Sequence, residues 1–194
     1  HEQTQAEIAS VLCISQMHVS RLLTRTLAAL RTQVEAGIDA MQLFDSWAGF
    51  LTEADYREHV LPYSTEILQS VAGEIPRIHF GVATGELLGA MSEAGSEVMG
   101  VDWRVPLDAA ARRFASPRVL QGNLDPALLF AGEEVVRSEV VRIKAEAKRA
   151  MGEGTAAGHI FNLGHGVLPT TDADAVTEAV RIIHETHETH ETEA

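Results

Sequence analysis

From Ile38 onward, short apolar runs alternate with longer stretches whose apolar residues recur every three or four positions. The runs are Ile38–Phe44, Arg77–Val82, Glu97–Val101, Arg118–Gly122 and His159–Leu163, each of strand length. Helical spacing covers Glu53–Ala72, Glu86–Ala94, Leu107–Phe114, Ala127–Ala150 and Ala173–His184. Asp125-Pro126 supplies an N-cap with proline at the first helical position, and Gly73, Gly95 and Gly152 suit helix ends. Repeated β-α units of this kind predict a parallel sheet with right-handed crossovers.

The first 34 residues follow another pattern. Thr4-Gln-Ala-Glu7 is a capping box, and Ile8, Ala9 and Leu12 then carry a short helix that should end at Cys13. Ser15 caps a second helix with Val19, Leu22, Leu23, Leu27 and Leu30 on one stripe; Val34 continues it and Gly37 ends it. Two helices with so short a joint predict a helix-turn-helix. Its second helix would turn Gln16, Met17, Ser20 and Arg21 toward base edges, with Arg25 and Arg31 on phosphates.

Charge separates the two parts. The chain carries −13, yet residues 1–34 hold Arg21, Arg25 and Arg31 against Glu2 and Glu7, so the remainder carries −14. An acidic bulk repels nucleic acid, so any DNA contact falls to the amino-terminal part. The 45% apolar and 22% charged content is that of an ordinary globular protein. There is no apolar run of ~18 residues and no leader pattern. The lone cysteine, Cys13, excludes an internal disulfide, and a cytoplasmic location is expected. A first residue of histidine implies that the numbering does not begin at a native start.

Candidate chemistry gathers at strand ends. In Asn162-Leu-Gly-His165-Gly166, a glycine on each side of histidine lets the backbone bend and present the imidazole at the carboxyl edge of the sheet. That edge is where barrels of this class do chemistry. Gln42-Leu-Phe-Asp-Ser-Trp-Ala-Gly49, Gly100-Val-Asp-Trp103 and Gln121-Gly-Asn-Leu-Asp-Pro126 end the other strands.

Together the four segments resemble the uroporphyrinogen decarboxylase family, from about Glu35 to Glu185. The resemblance implies a (β/α)₈ TIM barrel, of which five parallel β/α units are counted here, so the fold expected is an incomplete barrel preceded by an all-α helix-turn-helix. It also implies cofactor-free decarboxylation of the acetate side chains of uroporphyrinogen to give coproporphyrinogen, a step of porphyrin and haem biosynthesis. Ser46 and His165 match the family's substrate-binding serine or threonine and histidine, and Phe44 its ring-contacting phenylalanine. Nothing matches the arginine-rich loop, the catalytic aspartate or the tyrosine. Asp45 and Asp102 are not assigned their roles, no catalytic residue, cofactor or metal is assigned, and negligible activity is expected.

The string Ser15-Gln-Met-His-Val-Ser-Arg-Leu-Leu23, with Arg25-Thr-Leu27 and Leu30-Arg31, is similar to region four of stress and sporulation sigma factors, although Cys13 stands where the turn usually has glycine. This implies a module that binds promoter DNA and RNA polymerase, fused within a continuous helix to the barrel segment. Domains at 1–34, 35–185 and a disordered His/Glu/Thr tail at 186–194 follow. A homodimer, or a functionless fusion whose open sheet edge self-associates, are the remaining readings. Trp47 and Trp103 read as packing residues, and Gly81-Val-Ala-Thr-Gly85 is a weak phosphate-loop candidate without lysine.

Overall fold

The computed structural model describes residues 16–191. Five strands form one parallel sheet in sequence order: β1 (Met41–Asp45), β2 (Arg77–Gly81), β3 (Val98–Gly100), β4 (Arg118–Leu124) and β5 (Ala156–Leu163). Neighbours in the sheet are neighbours in sequence, so each β-α-β unit returns to the adjacent strand. Among the described residues β1 and β5 do not pair with each other, so the sheet is an open arc.

That arc is strongly curved. Gln121 Nε2 donates to Gln42 Oε1 at 3.2 Å, joining β4 to β1 across two intervening strands. In a flat sheet those strands would stand roughly 14 Å apart. The concave face is open, with Phe44 and Ile160 exposed by 60% and 45%. A closed barrel fills that face with layered side chains.

The convex face holds the core. Helices α1 (Gln16–Glu35), α2 (Glu53–His59), α3 (Leu61–Gln69), α4 (Leu88–Ser92), α5 (Leu107–Ala111), α6 (Glu133–Gly152) and α7 (Ala173–Glu191) accompany the strands. Tyr56, Met91, Met99, Leu120, Leu124, Val140, Ile143 and Ile182 form a continuous buried cluster. Arg77 opens β2 and is buried at the amino edge, where its side chain donates to Leu68 O at 2.9 Å and pairs with Glu97.

Several boundaries differ from expectation for local reasons. The stretch predicted as one helix over 53–72 breaks at Val60, because Pro62 has no N–H to continue the ladder. The one predicted over 127–150 becomes a 3₁₀ turn, Pro126–Phe130, then α6, because Gly132 at φ +88 interrupts it. The tail expected to be disordered from residue 186 continues as helix to Glu191; no glycine or proline stops α7 there.

The expected helix pair is only partly within view. Its first helix and Cys13 lie outside the described residues. Its second is α1, a single uninterrupted helix across the supposed junction near residue 34. Arg31 donates to Glu74 Oε2 at 2.6 Å and to Ser70 O at 2.8 Å, and Leu30 is buried. Arg31 is therefore paired with the barrel segment, where its reading as a phosphate contact finds no support.

Candidate functional site

The inner face opens at the carboxyl edge into a cavity of about 270 Å³, lined by Gln42, Phe44, Phe80, Gln121, Asn162 and His165 among others. Strand periodicity explains the set. Gln42 and Phe44 are two apart on β1, so both face inward, and Phe44 meets its register partner Phe80 edge-on at 5.9 Å. Phe44 and His165, far apart in sequence, thus meet at one cleft. Ser46 follows β1 directly and is exposed, and it is not among the residues that line this cavity.

His165 is held at the rim by close backbone packing. Gly164 N donates to Leu124 O at 2.7 Å, and a Cβ on Gly164 would stand 2.4 Å from Trp103 N. Only glycine lets β5 approach the β3 loop that closely. The His165 ring then meets Trp103 edge-on at 6.0 Å, and the Arg104 guanidinium lies over the other aromatic surface of the set, 3.8 Å from the Trp103 centroid. Trp103, expected as a packing residue, links the histidine to a cation.

The two aspartates at strand ends are structural anchors. Asp45 points outward, one residue past Phe44. Its Oδ2 accepts from His79 Nε2 at 2.7 Å and from Tyr56 Oη and Ser64 Oγ at 3.1 Å each. Burial pushes its carboxyl upward, and the hydrogen bonds from His79, Tyr56 and Ser64 outweigh that, holding it below the usual range. Burial raises the Tyr56 phenol, as does the neighbouring carboxylate. His79, fully buried, also has Nδ1 3.3 Å from Met91 O, so both ring nitrogens face acceptors.

Asp102 is equally committed. It accepts from Arg104 N at 3.0 Å, from Arg104 Nη1 at 2.9 Å and from Ala83 N. Ala83 sits at φ +56, a left-handed position that alanine occupies only when held. Within Gly81–Gly85 the Ala83 amide is thus already taken by this carboxylate. Among the described residues no group of three or more metal-ligating side chains gathers anywhere. No described helix is long and apolar enough to cross a membrane.

Gln16, Met17, Ser20, Arg21 and Arg25 lie on the first three turns of α1, far in sequence from this cleft. Arg25 borders a groove between α1 and β1 together with Leu22, Leu30, Met41 and Leu43.

A curved parallel β/α sheet with a cleft of mixed polar and apolar lining at its carboxyl edge has the architecture of an incomplete TIM barrel. The model of the family "Uroporphyrinogen decarboxylase (URO-D)" matches residues 15–186, and the chain belongs to that family. Uroporphyrinogen decarboxylase of Corynebacterium diphtheriae is 66% identical over 184 residues, 95% of this chain and 53% of that protein. The same-named protein of Rhodococcus erythropolis is 58% identical over 185 residues, 95% of this chain and 52% of its own length. The chain therefore spans about half the length of these curated relatives.

Solved structures agree on fold. A methyltransferase from Methanosarcina mazei superposes with TM-score 0.71 at 15% identity, over 87% of this chain and 48% of that one. Dihydropteroate synthase from Thermus thermophilus gives 0.55 at 20%, over 84% and 63%.

These matches bear on the amino-terminal reading. Residues 15–34, the whole presumed recognition helix, fall inside the decarboxylase family match, so a fusion to a sigma-factor segment gains no support from it.

Proposed function

We propose that this chain forms the histidine-bearing part of a uroporphyrinogen decarboxylase cleft. In it, Phe44 contacts the pyrrole rings, while Ser46 and His165 hydrogen-bond the carboxylate arms. The observation that carries the reading is the placement of Phe44 and His165 on one cavity at the catalytic edge of the sheet. An imidazole N–H is a suitable donor to a propionate or acetate oxygen, and His165 is exposed there.

Decarboxylation itself needs more than these groups supply. Charge developing on the ring during carbon dioxide loss must be met by fixed opposing charge. Among the described residues the aspartates near the cleft are bound to structural partners: Asp45 to His79, Asp102 to Arg104 and Ala83. The 194-residue chain by itself is expected to convert uroporphyrinogen no faster than buffer. Anaerobic incubation with uroporphyrinogen, followed by chromatography of the oxidised porphyrins, tests this. Coproporphyrin above the blank would refute the inactivity, and failure of the chain to bind any carboxylated porphyrin would refute the cleft assignment.

A further inference from the structure

Arg104 has no role in the reading above, yet its surroundings are those of an anion site. It lies four residues past β3, on the same edge as His165. Its guanidinium is spread over the Trp103 ring at 3.8 Å, and that ring touches His165 edge-on. The stacking fixes a flexible side chain, which lowers the entropy lost when it captures a ligand.

Its ion pair leaves it free to act outward. Asp102 is buried, its side chain 1% exposed, while that of Arg104 is 47% exposed. The carboxylate is shared with Ala83 N and with the Arg104 backbone, so it is already saturated by donors behind the rim. It engages Nη1; the opposite edge of the guanidinium, Nε with Nη2, makes no hydrogen bond to the described residues. That edge is a two-donor fork of the shape that grips a carboxylate in bidentate fashion.

We propose that the Nε–Nη2 edge of Arg104, carried on Trp103 beside His165, is a subsite for a carboxylate arm of the tetrapyrrole. The inference rests on the cleft assignment above. Arg104 is thus a binding residue, with Asp102 and Trp103 positioning it. It also adds a positive charge beside the imidazole, where a polyanionic ligand approaches a segment of net negative charge.

The test is titration of uroporphyrin into the 194-residue chain, followed by porphyrin fluorescence at several salt concentrations. The parent, R104Q, R104K and H165N are compared. R104Q is expected to weaken binding about three- to tenfold and to flatten its salt dependence. R104K should recover part of the salt dependence but not the full affinity, since ammonium lacks the fork. Unchanged thermal unfolding of R104Q separates this from loosening of the Ala83 loop. If the parent binds and H165N weakens it while R104Q binds like the parent, the subsite is wrong and the cleft assignment stands. If R104Q loses affinity with an unchanged salt slope, the effect is structural and the proposal is overturned. If the parent does not bind, the cleft assignment fails and takes the subsite with it.

Discussion

Removing the Asp45 carboxylate should be among the most damaging single changes in this chain. Three donors converge on one oxygen, from His79 on β2, Tyr56 on α2 and Ser64 on α3. Tyr56 and His79 are fully buried and Ser64 nearly so, so water cannot replace the lost acceptor. Asp45→Ala therefore strands a buried ring N–H and two hydroxyls. A stranded buried donor costs about 1–3 kcal/mol, more where the lost acceptor was a charged carboxylate. Burial of Asp45 is incomplete, its side chain 13% exposed, so a loss on the order of 3–4 kcal/mol is the reasonable expectation. That is a large part of the roughly 5–15 kcal/mol typical of a domain. Asp45→Asn retains one oxygen for the donors and loses only the charge, so about 1–2 kcal/mol is expected. Urea unfolding followed by circular dichroism at pH 7 measures both. An Asp45→Ala loss below about 1 kcal/mol, or equal losses for the two variants, would show that the network contributes nothing beyond shape. The acid limb gives an independent check. The native carboxyl is held low, so its contribution is present above the unfolded aspartate value of about 4 and vanishes as pH falls toward the native value. Asp45→Asn should flatten stability between about pH 4 and the acid transition.

Gly164→Ala should cost roughly 2 kcal/mol or more, because the new Cβ would stand 2.4 Å from the Trp103 backbone nitrogen, which cannot move aside like a side chain. Its porphyrin affinity should fall with it, and thermal unfolding plus titration would show both; a neutral result would mean the β3 loop is loose. Glu146 accepts the Leu107 amide at 3.0 Å from the buried interior of α6, so Glu146→Ala should destabilise by about 1–3 kcal/mol in urea. An unchanged midpoint would refute the anchoring of α5. Burial lowers the His159 imidazole, a shift opposed by its hydrogen bond to Gly122 O at 2.8 Å and reinforced by Lys144. A histidine kept neutral this way contributes stability that is full above the unfolded value of about 6.5 and is lost as pH falls toward the native value. His159→Gln should remove that slope while leaving the acid limb of Asp45 intact, as urea midpoints measured across pH would show.

The legible part of the fold was the part written in local periodicity. The alternation of short apolar runs with helical stretches located all five strands and their order, because each parallel strand is apolar on its buried face and each crossover helix follows its own strand. Edges were less legible. β5 begins at Ala156, three residues before the run starts, because its pairing to Arg118 on β4 is decided by the neighbour rather than by its own side chains. α1 shows the same limit in another form. Its stripe of Val19, Leu22, Leu23, Leu27 and Leu30 is what a recognition helix needs to sit on its partner, and equally what a barrel helix needs to sit on a sheet. Composition cannot separate those; the family match covers residues 15–34 and lends the recognition-helix reading no support.

Of the three motif positions, Phe44 and His165 come together on one cavity, while Ser46 lies outside its lining. Phe44, Ser46 and His165 were marked by motif, and the inward row holding Phe44 follows from strand parity. The same parity turns Asp45 outward, so the residue beside Phe44 fastens the strand end from the convex side. No spacing in the sequence brings Tyr56, Ser64 and His79 to it, since those contacts span 11, 19 and 34 residues. Arg104 stands near a strand end with no cationic cluster around it in sequence. The adjacent Asp102-Trp103-Arg104 offers an acid to hold the cation and an indole to carry it, a combination that makes sense only once the His165 ring is seen to touch that indole. Motifs therefore marked which residues stand at the edge, whereas tertiary packing decided which of them line the cavity and which hold the edge in place.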